Sequence, residues 1–142
     1  MIITLTPNTT LDQTVLISAF QLNRTIRATR SLYGMAGKPT DASWILAELG
    51  MPSRALGFAA GAIGQKIELM LHARDITTHF VQVEGESRVN MVIVCEDGSG
   101  QSTITTSSLE VKPQHIEALL AQFEAALDEA SCVVLGDRKS VV

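Results

Sequence analysis

The chain has 142 residues, 46% of them hydrophobic and 18% charged, with a formal net charge of -4 at pH 7. That length buries one core of ordinary size, so one domain, or one domain with an appendage, is expected. The acidic balance and the scatter of the basic residues argue against nucleic acid as a partner, and no apolar run approaches a membrane span. Met1-Ile2-Ile3-Thr4 has no basic n-region, so neither a signal peptide nor an anchor is expected. Cys95 and Cys132 are far apart and lack metal or redox spacing, which suits reduced thiols in a cytoplasmic protein.

In chain order, residues 2–5 read as a short strand that ends in the turn signal Pro7-Asn8. Residues 11–17 and 25–32 are rich in β-branched side chains and suit strands with one open face. A helix is expected from about Asp41 to Leu49, with Gly50 as its stop, then a strand over 54–60 and a helix over 62–74. In that second helix Ile63, Ile67, Met70 and Leu71 form one apolar stripe. Strands are expected over 78–83, 88–95 and 102–106, the last two joined by the turn Glu96-Asp97-Gly98-Ser99-Gly100. Pro113 opens an amphipathic helix to about Leu127, and residues 132–135 read as a buried strand. Helices interleaved with strands, plus a group of open-faced strands, predict an α/β sheet carrying a small β appendage.

One stretch combines charge with close backbone access: Gly34-Met35-Ala36-Gly37-Lys38-Pro39-Thr40-Asp41-Ala42. Small residues let a ligand approach the main chain, Lys38 supplies a cation, and the start of a helix favours an anion. Pro39 is expected to hold Lys38 extended, with Thr40 or Asp41 capping the helix. A phosphorylated, hydroxyl-rich ligand fits these features, and so does a plain strand-turn-helix connection. Elsewhere the candidates are bland. His72, His79 and His115 lack ligand spacing, no serine sits in a nucleophile elbow, and Trp44 and Phe123 fall on apolar helix stripes.

The order of features then becomes specific. Pro7-Asn8-Thr9-Thr10-Leu11-Asp12, Leu22-Asn23-Arg24, residues 36–42, Gly57-Phe58-Ala59-Ala60-Gly61-Ala62-Ile63-Gly64 and Ser87-Arg88-Val89-Asn90 follow one another along the chain. Their order and spacing resemble the N-terminal half of the ribokinase-like carbohydrate kinases. The nearest branch is the phosphofructokinase B group, with its 1-phosphofructokinases and tagatose-6-phosphate kinases. The resemblance implies a partial three-layer αβα core with a projecting β-sheet lid, residues 1–142 forming the N-terminal half of the kinase domain. It places lid strands near 11–17, 25–32, 78–83 and 88–95.

The same resemblance implies roles. Asp12 matches the acidic residue that bonds sugar hydroxyls. Gly37 and Lys38 match the second glycine and the lysine of the Gly-Gly-Lys-Gly-x-Asn signature, and Asp41 takes its asparagine position. Arg24 and Arg88 fall where that branch places cations for the substrate's phosphate, and Asn90 shares a strand face with Arg88. Ala36, Pro39 and Asp41 depart from the signature, and a carboxylate accepts hydrogen bonds without donating them.

ATP and Mg2+ are implied as cofactors, bound largely by a second half that carries the catalytic Gly-Ala-Gly-Asp aspartate. Neither that motif nor a metal site is found in this sequence. Asp137, after Gly136, follows a first-half strand and is not read as the base. No catalytic residue is expected in this chain, which is read as an inactive, truncated, substrate-binding half. A non-catalytic sugar-phosphate-binding or dimerising module and a nucleoside kinase fragment are the alternatives. A homo-oligomer formed through the lid is expected, with Val15, Ile17, Val81, Val83, Val89 and Val94 short of partners.

Overall fold

In the computed structural model, which describes residues 1–106 and 109–136, the chain forms two four-stranded sheets and three helices. In chain order the elements are β1 (Ile2–Thr6), β2 (Thr10–Ile17), β3 (Arg30–Ala36), α1 (Lys38–Glu48), β4 (Ser53–Ala59), α2 (Gly61–His72), β5 (Thr77–Gln82), β6 (Arg88–Cys95), β7 (Gly100–Thr105), α3 (Pro113–Leu127) and β8 (Cys132–Leu135). The first sheet, ordered β5-β4-β1-β8, is parallel throughout. Each parallel step needs a crossover, and the three helices supply them.

Alternation along the strands sorts the two faces. Ile3, Leu56 and Phe58 turn toward α3 and pack with Leu119, Phe123 and Ala126. Ala55 and Ala59 turn the other way, toward Ile67 and Leu71 of α2. On that same side Thr4 and Thr6 meet α1 through buried hydroxyls. Thr40 Oγ1 donates to Thr6 Oγ1 at 2.7 Å, Thr4 Oγ1 and Ser43 Oγ lie 2.7 Å apart, and Ser53 Oγ donates to Ser43 Oγ at 3.0 Å. The result is three layers, α3 over the sheet over α1 and α2, the partial αβα core expected from the sequence.

The second sheet, ordered β3-β2-β6-β7, is mixed: β2 pairs antiparallel with β3 and parallel with β6, and β7 closes antiparallel on β6. Leu11, Met35 and Val89 seat it on the α2 cluster. Lys66 Nζ lies 3.1 Å from the Tyr33 ring centroid, tying α2 to β3.

Several expectations change. The segment expected as a strand over 25–32 begins at Arg30 and runs through Gly34 and Ala36, because β2 offers a ladder from Leu16↔Arg30 to Thr10↔Ala36. Pairing outweighs the weak strand propensity of those small residues. The strand read at 78–83 is not in the second sheet: β5 pairs with β4 in the core, where Phe80 and Val81 are packed on opposite faces. The fourth strand of the second sheet is β7. Among the described residues β8 is an edge strand, with Cys132 exposed and Leu135 63% exposed, rather than the buried strand expected. Ile17 is buried, and Val81, Val83 and Val89 have core partners. The exposed apolar residues of the second sheet are instead Leu32, Tyr33, Met91 and Ile104. Asp137 lies outside the described residues.

Candidate functional site

The strand order sets where a ligand can sit. From β1 the chain moves outward to β4 and β5, then returns to the other side of β1 as β8. The reversal falls between β1 and β8, and in open α/β sheets the crevice beyond the strands' carboxyl ends at that point receives ligands. A cavity of about 420 Å³ opens there. Thr6, Pro7 and Asn8 line it from the end of β1, and Gly136 from the end of β8. Gly37, Lys38, Pro39 and Asp41 line it from the start of α1, while Asp12, Arg88 and Asn90 reach it from the second sheet.

The turn at its mouth is one residue long. Gly37 has φ +99°, and a Cβ there would lie 2.8 Å from Thr6 Cγ2, so glycine answers both demands. α1 begins at Lys38, with Pro39 in its first turn and Asp41 N–H donating to Gly37 O at 3.0 Å. Lys38 is therefore helical rather than extended. No side chain caps the helix, because its N-cap residue is Gly37, and the Thr40 hydroxyl inside the first turn donates to Thr6. Pro39 fits there since a first-turn residue needs no intrahelical N–H bond.

Polar partners hold the second-sheet residues in place. Asn90 Nδ2 donates to Asp12 Oδ1 at 2.8 Å, and Arg88 Nε donates to Thr10 Oγ1 at 3.2 Å. Both contacts follow from the ladder, which sets Asn90 opposite Asp12 and Arg88 opposite Thr10. Burial first, and the Asp12 charge second, push the Asp41 carboxyl up to about 6. The lining residues carry two cations, two carboxylates and two carboxamides, a set suited to a polar, charged ligand.

The raised Asp41 pKa has a stability consequence. The folded chain holds this proton more tightly than the unfolded chain, so the stability that this carboxyl contributes is fully present below about pH 4 and is lost as pH rises through about 6. Asp41→Asn should raise the melting temperature at neutral pH and flatten that slope. Thermal melts of both proteins across this range check it; parallel pH profiles would refute it.

Of the residues expected from the sequence, Asp12, Gly37, Lys38, Asp41, Arg88 and Asn90 come together. Arg24 does not: it is exposed in the connection from β2 to β3 and is absent from the lining. That connection joins the ends of β2 and β3 away from Thr10. Seven residue steps of β2 put the two ends about 23 Å apart. Thr6, Pro7, Asn8 and Gly136 were missed by sequence reasoning. Pro7-Asn8, directly after the first strand, was the available signal, since a turn there ends β1 at the cavity. Among the described residues, no three His, Cys, Asp or Glu side chains converge as a metal site, and no helix is long and apolar enough to cross a membrane.

No family model matches the chain. It is 28% identical over 137 residues to the 1-phosphofructokinase of Borreliella burgdorferi, covering 96% of this chain and 44% of that protein. A solved structure from Thermotoga maritima, described as a possible 1-phosphofructokinase, superposes with a TM-score of 0.87 at 32% identity, over 96% of this chain and 44% of that one. Phosphofructokinase-2 from Escherichia coli in complex with fructose-6-phosphate, at 20% identity, shares the fold with a TM-score of 0.81 over 95% of this chain and 44% of its own. The chain thus spans less than half the length of these relatives. In sequence and fold the chain is similar to part of the phosphofructokinase relatives named here, over less than half of their length.

Proposed function

We propose that this chain is the sugar-phosphate-binding part of an ATP-dependent kinase that transfers phosphate to a sugar hydroxyl. The observation that carries the reading is the single cavity shared by Lys38, Arg88, Asp12 and Asn90 at the sheet reversal. Asp12 accepts from Asn90 and has further lone pairs for sugar hydroxyls. Arg88 and Lys38 supply cations for a phosphate already on the sugar, which favours such a substrate over a nucleoside. Phosphoryl transfer rests on positioning and electrostatic stabilisation, and the residues here serve the positioning. No catalytic base is assigned among them.

ATP and Mg2+ belong to this reading by family. The cavity's donor set does not fit a metal cluster: it holds two carboxylates and no His or Cys, and among the described residues no third acidic, His or Cys side chain joins them. Mg2+ is therefore not assigned to residues of this chain. Cys95 and Cys132 are free thiols, in keeping with a cytoplasmic enzyme.

The test is calorimetry with fructose 1-phosphate, fructose 6-phosphate and fructose. A sugar phosphate should bind more tightly than the free sugar, and Arg88→Ala should remove most of the difference, about 1.5 to 3 kcal/mol for a charge-assisted bond. Equal affinity for all three sugars in the unmodified chain would count against the reading.

A non-catalytic, dimerising role is favoured by one separate observation: Leu32, Tyr33, Met91 and Ile104 stay exposed on the second sheet. The same surface supports a homo-oligomer formed through that sheet, the projecting lid of this reading. Light scattering at tens of micromolar should report a dimer or larger species, and a monomer would refute the assembly.

A further inference from the structure

Cavity geometry depends on how the second sheet is held against the core, since Gly37, Lys38 and Asp41 belong to α1 while Asp12, Arg88 and Asn90 belong to β2 and β6. Ladder bonds fix register within a sheet. They do not fix the sheet on its neighbour.

At the root of β6 the structure holds a separate connection. Ser87, 1% exposed, accepts the Ala60 N–H at Oγ (3.0 Å), and its own N–H donates to Ala60 O at 3.0 Å. Glu86 Oε1 accepts the Ile63 N–H at 2.7 Å, so a carboxylate sits on the first turn of α2, where the helix end favours negative charge. The helix is shaped for this approach. A Cβ at Gly64 would lie 3.3 Å from Ser87 Oγ and 3.1 Å from Ala59 Cβ. Gly61, at φ +60°, would carry its Cβ 2.4 Å from the Glu86 carboxylate. Neither Glu86 nor Ser87 lines the cavity, yet Arg88 is the next residue and Asn90 follows two later.

We infer that Glu86 and Ser87 are positioning residues: they clamp the root of β6 onto the start of α2 and so set where Arg88 and Asn90 enter the cavity. The inference rests on the reading of Arg88 as a phosphate contact. Its structural part can be measured without a ligand.

The experiment is NMR on the full chain and on Glu86→Ala, Glu86→Gln, Ser87→Ala and the Glu86→Ala/Ser87→Ala double variant. The clamp reports at the Ala60 and Ile63 amides; its effect on the cavity reports at the Arg88 Nε–H and Asn90 side-chain amide signals. Exchange of the Ala60 and Ile63 amides should accelerate about tenfold or more in the double variant, beyond any change in global stability, as expected on losing a hydrogen bond at each, and the Arg88 Nε–H and Asn90 side-chain signals should shift as β6 moves on the core. Glu86→Gln keeps an acceptor and should retain most of the protection that Glu86→Ala loses. The preference for fructose 6-phosphate over fructose should fall about tenfold in the double variant. Unchanged Arg88 and Asn90 signals overturn the inference whatever the sugars do. If the double variant does not fold, equal signals in Glu86→Ala and Glu86→Gln overturn it. An unmodified chain that binds both sugars equally sinks the phosphate reading of Arg88, and the NMR comparison still decides the clamp.

Discussion

Gly57→Ala should lower the stability of the chain by about 3 kcal/mol or more. Gly57 lies in β4 opposite Thr6 of β1, at the centre of the core sheet. A Cβ there would sit 2.1 Å from the Thr6 carbonyl oxygen and 3.1 Å from the carbon that bears it. Both atoms are main chain, so no rotamer relieves the contact and the two central strands must move apart. A loss of that size is a large share of the 5 to 15 kcal/mol or so that holds a typical domain together. Thr6 also lines the cavity and anchors Thr40 of α1, so the disturbance should reach the candidate site. Denaturant midpoints measure it against Gly34→Ala, where an added Cβ meets nothing within 4 Å and the change should stay within about 0.5 kcal/mol. A Gly57→Ala midpoint equal to that of the control would show that β1 and β4 are not packed this closely.

Ile67→Ala should cost about 2 to 5 kcal/mol. Ile67 is 0% exposed and belongs to the cluster that joins Ala55 and Ala59 of the core sheet to Leu11 and Met35 of the second sheet. Removing it opens a cavity under both sheets. Amide protection in β2 and β3 should therefore fall along with global stability. Leu69, two residues on and 69% exposed, is the comparison: Leu69→Ala should change stability by no more than about 0.5 kcal/mol. Equal losses for the two variants would show that α2 does not seat the second sheet.

The sequence by itself determined the elements whose signals are local. α3 runs from Pro113 to Leu127, since proline at a helix start and a 3.6-residue apolar stripe are both written in the nearby residues. The strand Arg88–Cys95 was legible from β-branched residues and the turn after it, and α2 from Ile63, Ile67, Met70 and Leu71. The gathering of Asp12, Gly37, Lys38, Asp41, Arg88 and Asn90 was legible only through the ordered motifs. Nothing in a stretch such as Arg88-Val89-Asn90 says which strand will lie beside it.

Tertiary structure decided the rest. It assigned β5 to the core, started β3 at Arg30, left Arg24 at the far end of the ladder, and brought Thr6 and Gly136 to one cavity. Each outcome depends on a pairing between residues distant in sequence. A β-strand's hydrogen bonds are satisfied only by a partner, and several partners suit the same local pattern. The choice among them falls to burial, as when Phe80 and Val81 find core on both faces of β5, and a linear string of residues does not contain that quantity.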